Sequence, residues 1–225
     1  MSENQNKSVP TVSLPSSRGG LTVPEAIQEA SGINVFGKCL KSFVFTTDVA
    51  IVRNINADAV IAMHPFTSQV TIIRSIISAS DIPVFCGIGG GTLNADRMTH
   101  LAFENEVLGA RGTILNAAVS DDVIAGVKAT TNIPVILTVT SNKANIEDRI
   151  AAGVDIFNVS AAADTPNVVK YIKSIRPDFP VIATGGPTKE TILATIDAGA
   201  NAISYTPPPV AEIFKIMIDK YRKLF

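Results

Sequence analysis

The sequence predicts an α/β chain folded as a closed (β/α)8 barrel, the TIM-barrel class, with an N-terminal extension. Three observations carry that expectation. The first is the stretch from Val181 to Pro209. It reads as a β-branched strand to Thr184, a Gly185-Gly186 turn, a helix capped by Thr188 and ended by Gly199, and a strand from Ala202 to Tyr205. Two parallel strands joined by one helix need a right-handed crossover. The second is a two-beat repeat. Alternate strands are led in by a proline, as in Asp81-Ile82-Pro83-Val84, Asn132-Ile133-Pro134-Val135 and Asp178-Phe179-Pro180-Val181. The strands between them follow small-residue helix exits, as in Asn56-Ala57-Asp58-Ala59, Gly109-Ala110-Arg111-Gly112, Ala152-Gly153-Val154-Asp155 and Ala198-Gly199-Ala200-Asn201. The third is the number of units. Eight strands alternating with helices favour a closed barrel over an open doubly wound sheet, which has fewer and less even units.

Taken in order, residues 1–40 form a polar arm and a short helix, and residues 41–225 a single barrel domain. The arm, punctuated by Pro10, Pro15, Gly19 and Gly20, has too little apolar content for a core of its own and is expected to pack on a neighbouring subunit or across the barrel bottom. Val23 to Ala30 reads as a helix opened by Pro24 and stopped by Gly32, placed to plug the barrel bottom. The strands are then expected at 41–45, 59–63, 84–86, 113–115, 135–139, 156–159, 181–184 and 202–205. Helices follow from Val49 and over 68–79, 96–108, 121–130, 144–151, 165–176, 188–198 and 211–221.

Composition narrows the function. With 19 Lys and Arg against 20 Asp and Glu, the net charge is -1, which gives no electrostatic attraction to nucleic acid or an acidic membrane. The expected partner is a small molecule, together with further copies of the chain in a homo-oligomer. Cys39 and Cys86 form neither a metal spacing nor a disulfide framework, and the start MSENQNK lacks an export signal, which points to the cytoplasm. No apolar run reaches the length of a membrane span.

Barrels of this class carry their sites at the C-terminal ends of the strands. The candidates there are Thr46, Thr47 and Asp48; His64; Cys86 with Gly87, Gly89, Gly90 and Gly91; Asn116; Thr138 and Thr140; Asn158 and Ser160; Thr184, Gly185 and Gly186; and Tyr205 and Thr206. Most are neutral hydrogen-bonding groups, suited to a polar ligand. Gly185-Gly186 before a helix N-terminus reads either as an anion cradle or as a tight turn. The last loop, Thr206-Pro207-Pro208-Pro209, adds few backbone donors, and Thr206 as a cap with Pro207 in the first helical turn accounts for it. Cys86 before its glycine run reads as a nucleophile or as a small buried hydrophobe, and the run itself suggests close approach to a ligand or a closing loop. His64 reads as an acid or base or as a rim hydrogen bonder, and Asp48 as its partner or as a helix cap. His100 reads as an outer surface residue. One aspartate and one histidine make no metal site, and no cofactor is expected.

The segment containing Ala183-Thr184-Gly185-Gly186 and Ala198-Gly199-Ala200 resembles the closing part of phosphate-binding barrel families. Thiamine phosphate synthase, the 2-keto-3-deoxy-6-phosphogluconate aldolases and N-acetylmannosamine-6-phosphate epimerase are examples. The resemblance covers about a fifth of the chain and implies phosphate at Gly185 and Gly186. It does not carry over the aldolase chemistry. The Schiff-base lysine of those enzymes has no counterpart in Phe157-Asn158-Val159-Ser160, and their second-strand glutamate is replaced near its place by His64. The loop from Val84 to Thr92 also resembles that of a bacterial barrel family loosely labelled hydrolases.

These observations imply a small-molecule enzyme, a lyase or isomerase of a phosphorylated metabolite, with Gly185 and Gly186 on phosphate and His64 or Asp48 moving protons. The alternatives are a hydrolase with Cys86 as nucleophile and His64 as base, its oxyanion held by the Gly87 to Gly91 backbone, and a ligand-binding barrel without chemistry. In each reading Gly89, Gly90, Asn116, Thr138, Asn158, Ser160 and Thr184 line the binding site.

Overall fold

The computed structural model describes residues 21–63, 68–89 and 94–222. The chain enters through a 3-10 turn, Glu25–Glu29, and a hairpin of β1 (Ile33–Val35) and β2 (Lys38–Leu40). Strands and helices then alternate: β3 (Ser42–Phe45), α1 (Val49–Asn54), β4 (Ala59–Ala62), α2 (Val70–Ala79), β5 (Val84–Gly89), α3 (Ala95–Val107), β6 (Gly112–Leu115), α4 (Asp121–Thr130), β7 (Val135–Val139) and α5 (Ile146–Ala151). They continue with β8 (Ile156–Val159), α6 (Thr165–Ile175), β9 (Val181–Thr184), α7 (Lys189–Asp197), β10 (Ala202–Tyr205) and α8 (Val210–Arg222). Strands β3 to β10 pair in parallel in chain order, and β10 closes on β3, giving the expected (β/α)8 barrel. No helix among the described residues is long and apolar enough to cross a membrane.

Successive strand residues face opposite sides, so two apolar clusters form. Phe43, Ile61, Phe85, Ile114, Ile136, Ile156 and Ile182 fill the lumen, with Phe43 and Phe85 edge to face at 5.2 Å. Their strand neighbours, among them Val44, Val60, Cys86, Leu115, Leu137 and Phe157, join the shell under the helices. The lumen is a packed core of side chains.

The bottom is sealed by the hairpin, whose Ile33, Val35 and Leu40 complete the lumen cluster. This corrects the expected helical plug: Ala26 and Ile27 of the 3-10 turn join the outer shell instead, and the turn packs beside α7. The hairpin turns on Phe36 and Gly37, both at positive φ (49° and 77°), as a two-residue turn of the primed kind requires. Phenylalanine is unusual there, and the Arg111 guanidinium lies 5.4 Å over its ring. A second correction concerns the last loop. Helix α8 begins at Val210, and the Pro209 carbonyl accepts the N–H groups of Glu212 and Ile213.

The two-beat repeat has a physical basis at the foot of the barrel. Asp58, Asp155 and Asn201 each stand one residue before a strand and accept the first N–H of the strand before it. Asp58 Oδ2 takes the Ser42 N–H at 2.9 Å, Asp155 Oδ2 that of Val135 at 2.8 Å, and Asn201 Oδ1 that of Val181 at 3.0 Å. Their own N–H groups donate back to the carbonyls of Ser42, Val135 and Val181. Asn201 does more. Its Oδ1 also accepts Lys173 Nζ at 2.9 Å, its Nδ2 donates to the Ser31 hydroxyl at 3.0 Å, and its carbonyl takes the Gly32 N–H at 2.7 Å. Burial lowers the Lys173 pKa, partly offset by the charge of Asp178, and the ammonium is further held by the Pro177 and Phe179 carbonyls. Asn201→Ala strands the Val181 donor and takes one acceptor from Lys173, so we expect a loss of about 1–3 kcal/mol. Urea unfolding should show a lower midpoint at unchanged m-value, and Asn201→Asp, which keeps the acceptor, should lose less.

Candidate functional site

Counting two residues up each strand from the lumen core gives the side chains at the mouth. Asn116 follows Ile114, Thr138 follows Ile136, Asn158 follows Ile156, Thr184 follows Ile182, and Ser204 follows Ala202. Phe45 and Met63 stand likewise above Phe43 and Ile61. Asn158 and Ser204 are buried, while Asn116, Thr138 and Thr184 are half-buried. The ring is amide and hydroxyl over an apolar base, with no charged side chain among these described residues. Asn158 Nδ2 reaches Thr138 Oγ1 at 3.5 Å, the outer limit of a hydrogen bond, so both keep capacity for a ligand. Ser160 is exposed, and its N–H donates to the Val139 carbonyl.

The glycine run is divided. Gly87 belongs to β5, where a Cβ would come within 2.5 Å of Met63 Cγ, so its close approach is to a neighbouring strand. Gly89, at φ +86°, ends the strand after a shift of register against β6, and its carbonyl accepts the Asn116 N–H. Gly90 and His64 lie outside the described residues.

Gly185 and Gly186 both have packing reasons to be glycine. A Cβ on Gly185 would meet Ile203 and Ile192 at 2.7 and 2.9 Å, and one on Gly186, at φ +76°, would meet Thr191 Oγ1 at 2.7 Å. The N-terminus of α7 is already furnished. Thr188 accepts the Thr191 N–H and donates its own N–H to the Thr191 hydroxyl, a reciprocal cap. The Glu190 carboxyl is held below its usual range, first by its own backbone N–H and then by the Thr188 hydroxyl. An anion seated there would meet a carboxylate and a satisfied cap.

Asp48 caps α1, its Oδ1 accepting the Ala50 and Ile51 N–H groups at 2.8 and 3.3 Å, while its own N–H donates to Thr46 Oγ1. Cys86 faces away from the lumen. It has no exposed surface, belongs to the shell under the helices, and burial pushes its thiol up to about 12. The structure therefore sets Cys86 among core hydrophobes and does not bring it to the mouth. Tyr205 packs on the same shell, and burial raises its phenol. His100 is exposed beside Glu104 at 3.9 Å. No three of His, Cys, Asp and Glu among the described residues come together as a metal site.

Of the residues expected at the site, the structure brings Asn116, Thr138, Asn158 and Thr184 into one ring, which Ser204, Phe45 and Met63, not singled out in the sequence, also join. Strand period would have found them once the lumen side was known. It was hidden because both faces of these strands are apolar.

No protein-family model matches the chain, and no curated protein sequence matches it. Solved structures do match in fold. A phosphonopyruvate hydrolase is 14% identical, with 88% of this chain and 84% of that one aligned at a TM-score of 0.63. A phosphoenolpyruvate phosphomutase from Streptomyces platensis subsp. rosaceus gives the same four figures, 14%, 88%, 84% and 0.63. A mandelate oxidase is 12% identical over 79% of this chain and 68% of that one, at 0.64. A hydrolase, a mutase and an oxidase share one architecture here, so the likeness shows the barrel and leaves the chemistry to the residues at its mouth.

Proposed function

We propose that the chain is an enzyme acting at the C-terminal mouth of its barrel on a small phosphorylated metabolite, by lyase or isomerase chemistry. The ring of Asn116, Thr138, Asn158, Thr184 and Ser204 carries this reading. Amide and hydroxyl donors around an apolar base bind an oxyanion without a carboxylate to repel it, and the apolar base strengthens each polar contact. Phosphonopyruvate and phosphoenolpyruvate, which two structural neighbours are named for, are small phosphorus-bearing acids of this kind. Proton transfer falls to His64, which directly follows Met63 in the sequence and has the side chain suited to neutral pH. Asp48 is engaged in its cap and comes second.

A thermal-shift screen of sugar and cofactor phosphates against their unphosphorylated partners tests this, since binding to the native state alone raises the transition. Phosphorylated compounds alone should shift it, Asn158→Asp should abolish the shift by placing a carboxylate in the ring, and His64→Gln should keep binding while turnover falls about 100-fold or more. Equal shifts with both sets of compounds would remove the phosphate from the reading.

A second reading, a binding barrel without turnover, is favoured by the absence of any ring side chain among the described residues that titrates near neutral pH. Recovery of a bound ligand unchanged after long incubation would decide for it. The hydrolase reading through Cys86 makes a different demand. A core thiol at about 12 holds almost no thiolate near pH 7, whereas Cys39 is exposed. We expect one thiol to react with an aromatic disulfide reagent in the native protein and two after denaturation. Two fast native thiols would revive the nucleophile.

The proposal includes a homo-oligomer. Phe103 and Val107 on α3 and Phe214 and Ile216 on α8 are exposed apolar side chains that an interface would cover.

A further inference from the structure

We infer that the anionic group of the substrate is held at the β7 edge of the mouth, by Lys143 with the hydroxyls of Thr138 and Thr140, and not in the Gly185-Gly186 turn. This rests on the proposed function and assigns its phosphate a place.

A crevice of about 220 Å3 opens between the loops after β6 and β7, lined among others by Ala117, Thr138, Thr140, Ser141, Lys143 and Arg149. Thr138 belongs to both the crevice and the ring, so a ligand lying across the ring reaches the crevice without leaving protein contact. Where Asn158 approaches it, Thr138 Oγ1 is the acceptor, and its own proton remains to donate.

The two cations lining the crevice differ. Arg149 is paired: Nη1 donates to the Val119 carbonyl at 2.7 Å and to Asp121 Oδ1 at 2.8 Å, and the pair cancels in charge. The Lys143 ammonium pairs with no carboxylate among the described residues, and only its backbone N–H is engaged, with Ser141 Oγ at 3.4 Å. With Arg149 paired to Asp121, Lys143 is the cation lining the crevice that has no ion pair among the described residues, and Thr138 and Thr140 line the same crevice.

On the β9 side of the mouth the Gly185-Gly186 turn offers no comparable free cation among the described residues, since Lys189 stands next to Glu190. Glu190 occupies the first turn of α7, the Thr188–Thr191 cap is closed, and both glycines are accounted for by packing.

The test is isothermal titration at constant ionic strength with inorganic phosphate and the best phosphorylated compound of the screen, chloride being the counter-ion control. Wild type is compared with Lys143→Gln, Lys143→Arg and Glu190→Gln. Both positions are exposed, and unchanged melting temperatures confirm folding. We expect Lys143→Gln to weaken binding about 10- to 100-fold, as loss of a charge-assisted hydrogen bond does, Lys143→Arg to restore most of it, and Glu190→Gln to stay within about twofold. Wild-type affinity in Lys143→Gln, or about tenfold tighter binding in Glu190→Gln, overturns the placement while leaving the proposed function standing. If wild type binds no phosphorylated compound, the proposed function fails and this inference with it.

Discussion

Three acceptors at the foot of the barrel, Asp58, Asp155 and Asn201, hold the ladder in register where it is weakest. The first N–H of each of the strands β3, β7 and β9 is matched by a side chain, whether the strand is led in by Lys41, as β3 is, or by proline, as β7 and β9 are. The acceptor comes from the residue before the next strand, whose own N–H returns the bond. Each such pair locks two neighbouring strands at their feet, and a slip of one residue would exchange lumen and shell on every strand. At the fourth place, before β6, Arg111 has no acceptor to offer. Its N–H still donates to the Val84 carbonyl, and its guanidinium serves the hairpin turn instead.

The lumen follows from that register. Aromatic and branched side chains fill it from the hairpin upward, and the filling stops one layer below the rim, where Asn116, Thr138, Asn158, Thr184 and Ser204 take over. The change from apolar to neutral polar comes at the same height on five strands. A site assembled this way has its chemistry decided by charges on the surrounding loops, because the ring itself is neutral.

The strands β7, β8, β9 and β10 were legible to the residue in the sequence, and a proline or glycine stands within three residues before each. The hairpin was not. Its strands have three residues each, and its turn places Phe36 where asparagine or glycine is the usual signal. At the site, position along the strand was legible and orientation was not. Cys86 and Phe85 are both apolar, so nothing local tells which faces the lumen, and only the closed barrel decides it. Tyr205 was preferred to Ser204 for the same reason. Asp48 was legible as a cap because its spacing to the helix is local chemistry.

The bond between Asn201 and Ser31 joins residues 170 apart in the chain. During synthesis the floor of the barrel is therefore made first and fastened last: β1 and β2 leave the ribosome early, yet the residue that anchors the turn before them emerges only with the final strand. Until then the apolar hairpin face of Ile33, Val35 and Leu40 has no completed lumen to close. The nascent chain carries an open-ended sheet through most of its translation, which makes late closure the step at which aggregation competes with folding.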